Sequence, residues 1–263
     1  MKISGKFRAR VLAREWLIGT WLNLGSSVTA ELAGQTGFDW VVLDHEHGPG
    51  GEDTMLHQLQ AVAATPAVPI VRIAANEAPR FKRALDLGAQ GIMVPFVNTA
   101  AEAAATVAAL RYPPRGFRGV AKNQRAAGYG TDFEEYYLHA HEWIVNIVQI
   151  ETAQAVANLD AIAAVDGVDV LFVGPTDLTY GLGIRDQFEH PLFLDAVQRV
   201  VAAARKQGKA PGILVHNPAL VAKCRDWGFT FVALGSDGGV VQKGLQQIAA
   251  TLREKQPAAG PLR

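Results

Sequence analysis

Eight short apolar runs, each followed by a stretch with helical periodicity, constrain this chain more than any other feature. They are Leu17–Leu22, Trp40–Leu43, Ile70–Ile73, Gly91–Phe96, Ile144–Ile150, Val170–Val173, Gly212–Val215 and Phe231–Leu234. A strand covered on both faces reads as a continuous apolar run, so these segments predict a parallel sheet wrapped by helices. Ala/Leu-rich stretches such as Ala100–Leu110 and Leu192–Lys206 supply the helices between them. Eight such βα units predict an α/β fold of the (β/α)8 TIM-barrel kind, for which about 250 residues are typical. The 263 residues, 49% of them hydrophobic, suffice for a single domain over residues 1–255. The Pro-, Ala- and Gly-rich residues 256–263 are expected to form a disordered tail. An open doubly wound sheet would look the same locally, but no Gly-x-Gly-x-x-Gly follows the first run, so a dinucleotide phosphate loop is missing.

Charge and cysteine content narrow the partners. The 25 basic and 25 acidic residues balance, and no basic block is interleaved with aromatics, which excludes a nucleic-acid role and predicts a small-molecule partner. The single cysteine, Cys224, sits in the helical pattern Leu220–Trp227, so neither a disulfide framework nor a thiolate metal cluster is available, and a packing role is expected. Met1–Arg14 carries five basic residues without an apolar core of signal-peptide length. No run approaches the roughly 18 apolar residues of a membrane span, so no membrane partner and a cytoplasmic location are expected. One long irregular stretch, Tyr112–Thr131, interrupts the βα rhythm, and long loops in compact domains tend to be functional or interfacial.

The chemistry concentrates at the ends of the runs. Val148–Thr152 and Phe172–Leu178 each finish an apolar run with a carboxylate. In a parallel α/β protein strand ends form the functional face, so Glu151 and Asp177 could share one hard cation. They could also simply cap helices. Arg72 ends the third run, where its guanidinium could stabilise a developing oxyanion or balance charge in a salt bridge. Asp44-His45-Glu46-His47 places two histidines among acids, although a His-x-His zinc site would need a third protein ligand. Carbon–carbon bond chemistry beside a keto acid needs an enolate, stabilised by a lysine imine or by a divalent metal. No lysine falls at the C-terminal end of a predicted strand, which leaves the metal route.

These residues also carry a resemblance. The run Gly37–Pro49, then Pro69–Arg72, Leu85–Gln90, Val94-Pro95, Arg111–Pro114, Gly116–Gly119, Val148–Thr152 and Gly174–Leu178 resembles the HpcH/HpaI aldolase family, in order and with near-identical spacing from about Trp21 to Ala249. The match is to metal-dependent class II pyruvate aldolases of the 4-hydroxy-2-oxoheptanedioate aldolase type. It implies a (β/α)8 barrel, a homo-hexamer with an exchanged C-terminal helix, and reversible aldol addition between pyruvate, or a close 2-oxo acid such as hydroxypyruvate, and an aldehyde through a metal-stabilised enolate. By the resemblance Glu151 and Asp177 are ligands of Mg2+, Mn2+ or Co2+. Asp177, Gln149 and Thr176 hold the substrate, and Arg72 stabilises the enolate. His47 is the general base, with Asp86 orienting it, and Trp21 and Leu214 lie near the substrate pocket. His45 departs from the family pattern, where that position is commonly small, and is either a contact to the aldehyde or a solvated loop residue. His216, just past the seventh run, could line the mouth. The basic loop residues Arg115, Arg118, Lys122 and Arg125 could meet an acidic aldehyde or form an oligomer contact. A related enolate-forming lyase acting on a CoA thioester is the alternative, and it would call for a basic groove and a longer C-terminal segment. A non-catalytic barrel would have no use for a base.

Overall fold

The structure, a computed structural model, describes residues 3–254, so the tail expected at 256–263 lies outside the described residues. Eight parallel strands close into a barrel in sequence order. They are β1 (Leu17–Leu22), β2 (Trp40–Asp44), β3 (Val68–Arg72), β4 (Gly91–Val94), β5 (Val145–Ile150), β6 (Val170–Val173), β7 (Ala210–Val215) and β8 (Phe231–Ser236). Each predicted run is found within a few residues of its expected ends. The helices are α1 (Lys6–Leu12), α2 (Ser27–Gln35), α3 (Glu52–Val62), α4 (Ala78–Leu87), α5 (Ala100–Leu110), α6 (Phe133–Trp143), α7 (Ala153–Ala157), α8 (Leu159–Ala163), α9 (Pro175–Gly181), α10 (Pro191–Lys206), α11 (Leu220–Trp227) and α12 (Asp237–Glu254). Among the described residues, no helix is long and apolar enough to cross a membrane.

Two apolar cores result from the strand pleat. Odd members of one set, such as Trp40 and Val42 of β2 or Val145 and Ile147 of β5, face the barrel axis, whereas Val41, Leu43 and Val148 pack outward against the helices. The axis is filled by aromatics: Trp40 stacks on Phe231 with centroids 4.0 Å apart, and Trp21 lies 5.5 Å from Phe172. Gly19 of β1 makes this possible, because a Cβ there would overlap the Trp40 ring. At the N-terminal end α1 seals the barrel with Phe7 and Val11, and Arg8 grips buried Asp169 through bonds of 3.0 and 2.8 Å. The other end stays open.

Helix signals act locally. Thr99 and Glu102 form a reciprocal capping box at the start of α5, and α4 stops at Gly88 with φ of 104°, the left-handed conformation that glycine adopts without steric cost. Cys224 is fully buried in α11, and burial pushes its thiol up to about 11, as a packing role requires. The stretch Tyr112–Thr131 is not a solvated loop throughout. Arg118 is buried between the rings of Tyr112 and Tyr136, 4.4 and 5.3 Å away, and residues Arg125–Gly130 form a 3-10 turn.

Candidate active site

The same alternation that fills the barrel axis delivers polar groups to its open end. Continuing Trp40 and Val42 inward gives Asp44 and then Glu46; continuing Ile70 gives Arg72, and continuing Ile147 gives Gln149 and then Glu151. The parallel register sets Asp44 of β2 directly beside Arg72 of β3. There Arg72 donates from Nε and Nη2 to Asp44 at 2.9 and 2.7 Å, while Nη1 lies 2.8 Å from Glu46. Burial opposes ionisation of Asp44, but the paired guanidinium prevails and holds it below its ordinary value. A guanidinium has five N–H groups, so after these three contacts Arg72 still has donors to offer toward the cavity. The salt bridge and the oxyanion role, alternatives in the sequence, are thus compatible.

The opening is a cavity of about 310 Å3 at the C-terminal mouth. One side of its wall comes from β2 and β3, with Asp44, His47 and Arg72. Another comes from β5, β6 and the first turn of α9, with Gln149, Gly174, Thr176 and Asp177. Trp21 and Leu214 line its apolar part. Glu151 sits just behind this wall, 2% exposed, its Oε1 accepting from the Phe96 N–H at 2.7 Å and its Oε2 from Gln149 Nε2 at 2.8 Å. Gly174 leaves the space it occupies, since a Cβ there would overlap Oε2. Burial pushes the Glu151 carboxyl up to about 7, and the charges of Asp177 and Glu46 add to the rise. A carboxylate short of counter-charge beside a second one forms a hard oxygen donor pair that fits Mg2+ or Mn2+. Among the described residues no group of three or more His, Cys, Asp or Glu is placed to hold an ion. The Oε1 of Gln149 is buried and has no partner among the described residues, leaving an acceptor beside that pair.

His47 projects from the β2 loop with a side chain 66% exposed, its Nε2 3.8 Å from Glu46. Asp86 does not reach it within one chain. It lies near the C-terminal end of α4, at the sealed end of the barrel, and accepts from Arg118 Nη2 at 2.7 Å. His45 points away from the cavity, as its outward place in the pleat dictates. It is half-buried in a separate space of about 100 Å3 that Arg80 and Arg83 also line, and burial lowers its pKa. The basic loop is equally remote, with Arg118 spent on Asp86 and Arg125 donating to the Leu87 and Leu59 carbonyls.

Three groups in or beside the cavity were not singled out from sequence. Glu46 touches both Arg72 and His47, and Asn23 and Ser236 close the rim. Period-two counting past the strand ends would have found Glu46 and Asn23.

Comparisons with known proteins give the family and the fold. A family model for the HpcH/HpaI aldolase/citrate lyase domain matches residues 17–243. The chain is 43% identical over 249 residues to a 5-keto-4-deoxy-D-glucarate aldolase of Salmonella arizonae, covering 95% of this chain and 97% of that one. Among solved structures, an HpcH/HpaI aldolase/citrate lyase family protein from Burkholderia cenocepacia superposes with a TM-score of 0.91 at 36% identity, covering 95% of this chain and 100% of the other. The citrate synthase SbnG superposes with a TM-score of 0.85 at 28% identity, covering 96% and 99%.

Proposed function

The chain belongs to the HpcH/HpaI aldolase/citrate lyase family and is a carbon–carbon lyase of the aldolase type, and we propose that it joins and cleaves pyruvate, or a close 2-oxo acid such as hydroxypyruvate, and an aldehyde. The observation that carries this reading is the meeting of buried Glu151 and half-buried Asp177 with Arg72 and His47 at one small cavity. Glu151 and Asp177 would hold Mg2+, Mn2+ or Co2+, which supplies Lewis-acid stabilisation of negative charge on the keto oxygen when bound. Arg72, fixed by Asp44 and Glu46, directs its remaining N–H groups at that same oxygen, so little reorganisation is needed as charge develops. The exposed His47 imidazole takes a proton from the methyl carbon as general base. Gln149 and the backbone around Thr176 help hold the 2-oxo acid. Trp21 covers it on the apolar side, with its ring 5.6 Å from the Arg72 guanidinium.

The substrate of the Salmonella arizonae relative is a six-carbon keto-deoxy dicarboxylate, and aldol cleavage of such a compound releases pyruvate and a three-carbon aldehyde acid. We propose an acceptor of this class. The cavity, at the small end of ligand sites, favours it over a CoA thioester. The likeness to a citrate synthase keeps a CoA-thioester lyase as the second reading.

Assembly is part of the proposal. α12 leaves the barrel wall with Val240, Leu245, Ile248 and Leu252 each 60–72% exposed, an apolar stripe of the kind that marks a protein interface. A homo-oligomer, a hexamer by the family resemblance, would cover it. In such an assembly Asp86 orients His47 of another subunit, because the two lie at opposite ends of one barrel. A cytoplasmic setting suits a small-molecule lyase of this kind.

The test is exchange of pyruvate methyl protons in deuterated water, followed by NMR with Mg2+ and again with EDTA. Exchange that disappears on chelation and in His47→Ala is expected. Its absence with every divalent metal would overturn the reading. Mixing His47→Ala with Asp86→Asn subunits should restore part of the activity if the pair forms between chains.

A further inference from the structure

The charged groups at the cavity are committed by the reading above: Asp177, with Glu151 behind the wall, to the cation, and Arg72 and His47 to the 2-oxo acid. The arc formed by the ends of β7, β8 and β1 carries no charge pair. It presents His216, Ser236 and Asn23. His216 continues the inward alternation of Ala210, Gly212 and Leu214. Its ring has no hydrogen-bond partner among the described residues and, unlike Arg72 and His47, pairs with no carboxylate there. The basic loop that the sequence offered for an acidic aldehyde is at the far end of the barrel and largely engaged.

This arc is rigid. Thr20 Oγ1 ties β1 to the Leu234 carbonyl at 3.0 Å, and Asp237 accepts from the Asn23 N–H at 2.8 Å and from Thr29 Oγ1 at 2.7 Å. A register shift between β1 and β8 sets Ser236 opposite Trp21 and so turns it to the rim. Beyond His216, Asn217 caps the loop by accepting from the Ala219 N–H at 3.0 Å.

Resting on the aldolase reading above, we infer that His216 is a specificity residue that hydrogen-bonds the carboxylate of the acceptor aldehyde, with Ser236 and Asn23 contacting its hydroxyls. With the 2-oxo acid bound between β3 and β6, the acceptor is left with the β7–β8–β1 arc, where the imidazole N–H is the strongest donor. Neutral imidazole donates one such bond and the protonated ring two, so recognition holds in either state.

The experiment compares succinic semialdehyde with butanal, which differ chiefly in the terminal carboxylate, as acceptors with pyruvate. The quantity read is the ratio of their kcat/KM values in the metal-loaded wild type, His216→Phe and His216→Gln. Loss of a charge-assisted hydrogen bond predicts that His216→Phe lowers the ratio by about 10- to 100-fold. His216→Gln, which keeps a donor, should retain most of it. A ratio unchanged in His216→Phe, or no preference for the carboxylate in the wild type, overturns the inference and leaves the aldolase reading in place. No metal-dependent methyl exchange in the wild type overturns both.

Discussion

Glu151 makes a prediction that requires no substrate. Its ordinary value of 4.5 rises to about 7 in the folded, metal-free chain because burial disfavours the carboxylate. Between those two values the folded protein holds a proton that the unfolded chain has released, so folding takes up a proton and stability falls as pH rises. A displacement from 4.5 to about 7 corresponds to about 3 kcal/mol, complete above about pH 7. In a domain of this size that is roughly 6–12 °C in Tm. Asp44 acts with the opposite sign, because its folded value is depressed and its contribution is lost only as pH falls through the acid range. The two windows are therefore separate. Urea unfolding of the wild type and Glu151→Gln should be followed in EDTA from pH 5 to 8. The wild type is expected to lose about 3 kcal/mol more than the variant across that range, and saturating Mg2+ should abolish most of the difference. Parallel pH profiles for the two proteins would refute the burial argument, and with it the claim that this carboxylate needs a cation.

Removal of Asp44 by Asp44→Ala leaves a buried Arg72 with Glu46 as its remaining anionic contact, and a loss of about 3–5 kcal/mol is expected in chemical denaturation. Arg72→Lys keeps the charge but forfeits the two-pronged contact to Asp44; kcat should drop by about 100- to 1,000-fold in steady-state assays while far-UV circular dichroism is unchanged. Gly174→Ala drives a methyl group into the Glu151 carboxylate, so calorimetric titration should show Mn2+ affinity weakened by about tenfold or more, whereas Gly51→Ala, where a Cβ meets nothing within 4 Å, should bind normally.

Much of the site was readable because a strand fixes side-chain direction. Arg72, Gln149, Glu151 and Leu214 occupy inward positions counted in twos from the apolar residues before them, and all four are found on or just behind the cavity wall. The count also puts His45 outside, a distinction blurred by reading Asp44–His47 as one motif. In a parallel barrel both strand faces are apolar, so the alternation is silent along β2 until the polar residues appear at its end. Glu46 was overlooked for that reason, although its position relative to Val42 announces it.

Asp86 shows the limit. Sequence matching pairs it with His47, but a helix that returns after a strand ends at the opposite face of the barrel, and Asp86 lies one residue before the end of α4. Local sequence determined the eight βα units, the inward or outward choice of each side chain, and the carboxylates that end β5 and β6. It carried these because propensity, pleat and capping act over a few residues. Closure of the barrel decided the rest. Only the ring order of strands and their register put Asp44 beside Arg72, buried Glu151 against Phe96 and Gly174, and separated Asp86 from the histidine, since those contacts join residues 23 to 55 positions apart and depend on which strand edges meet.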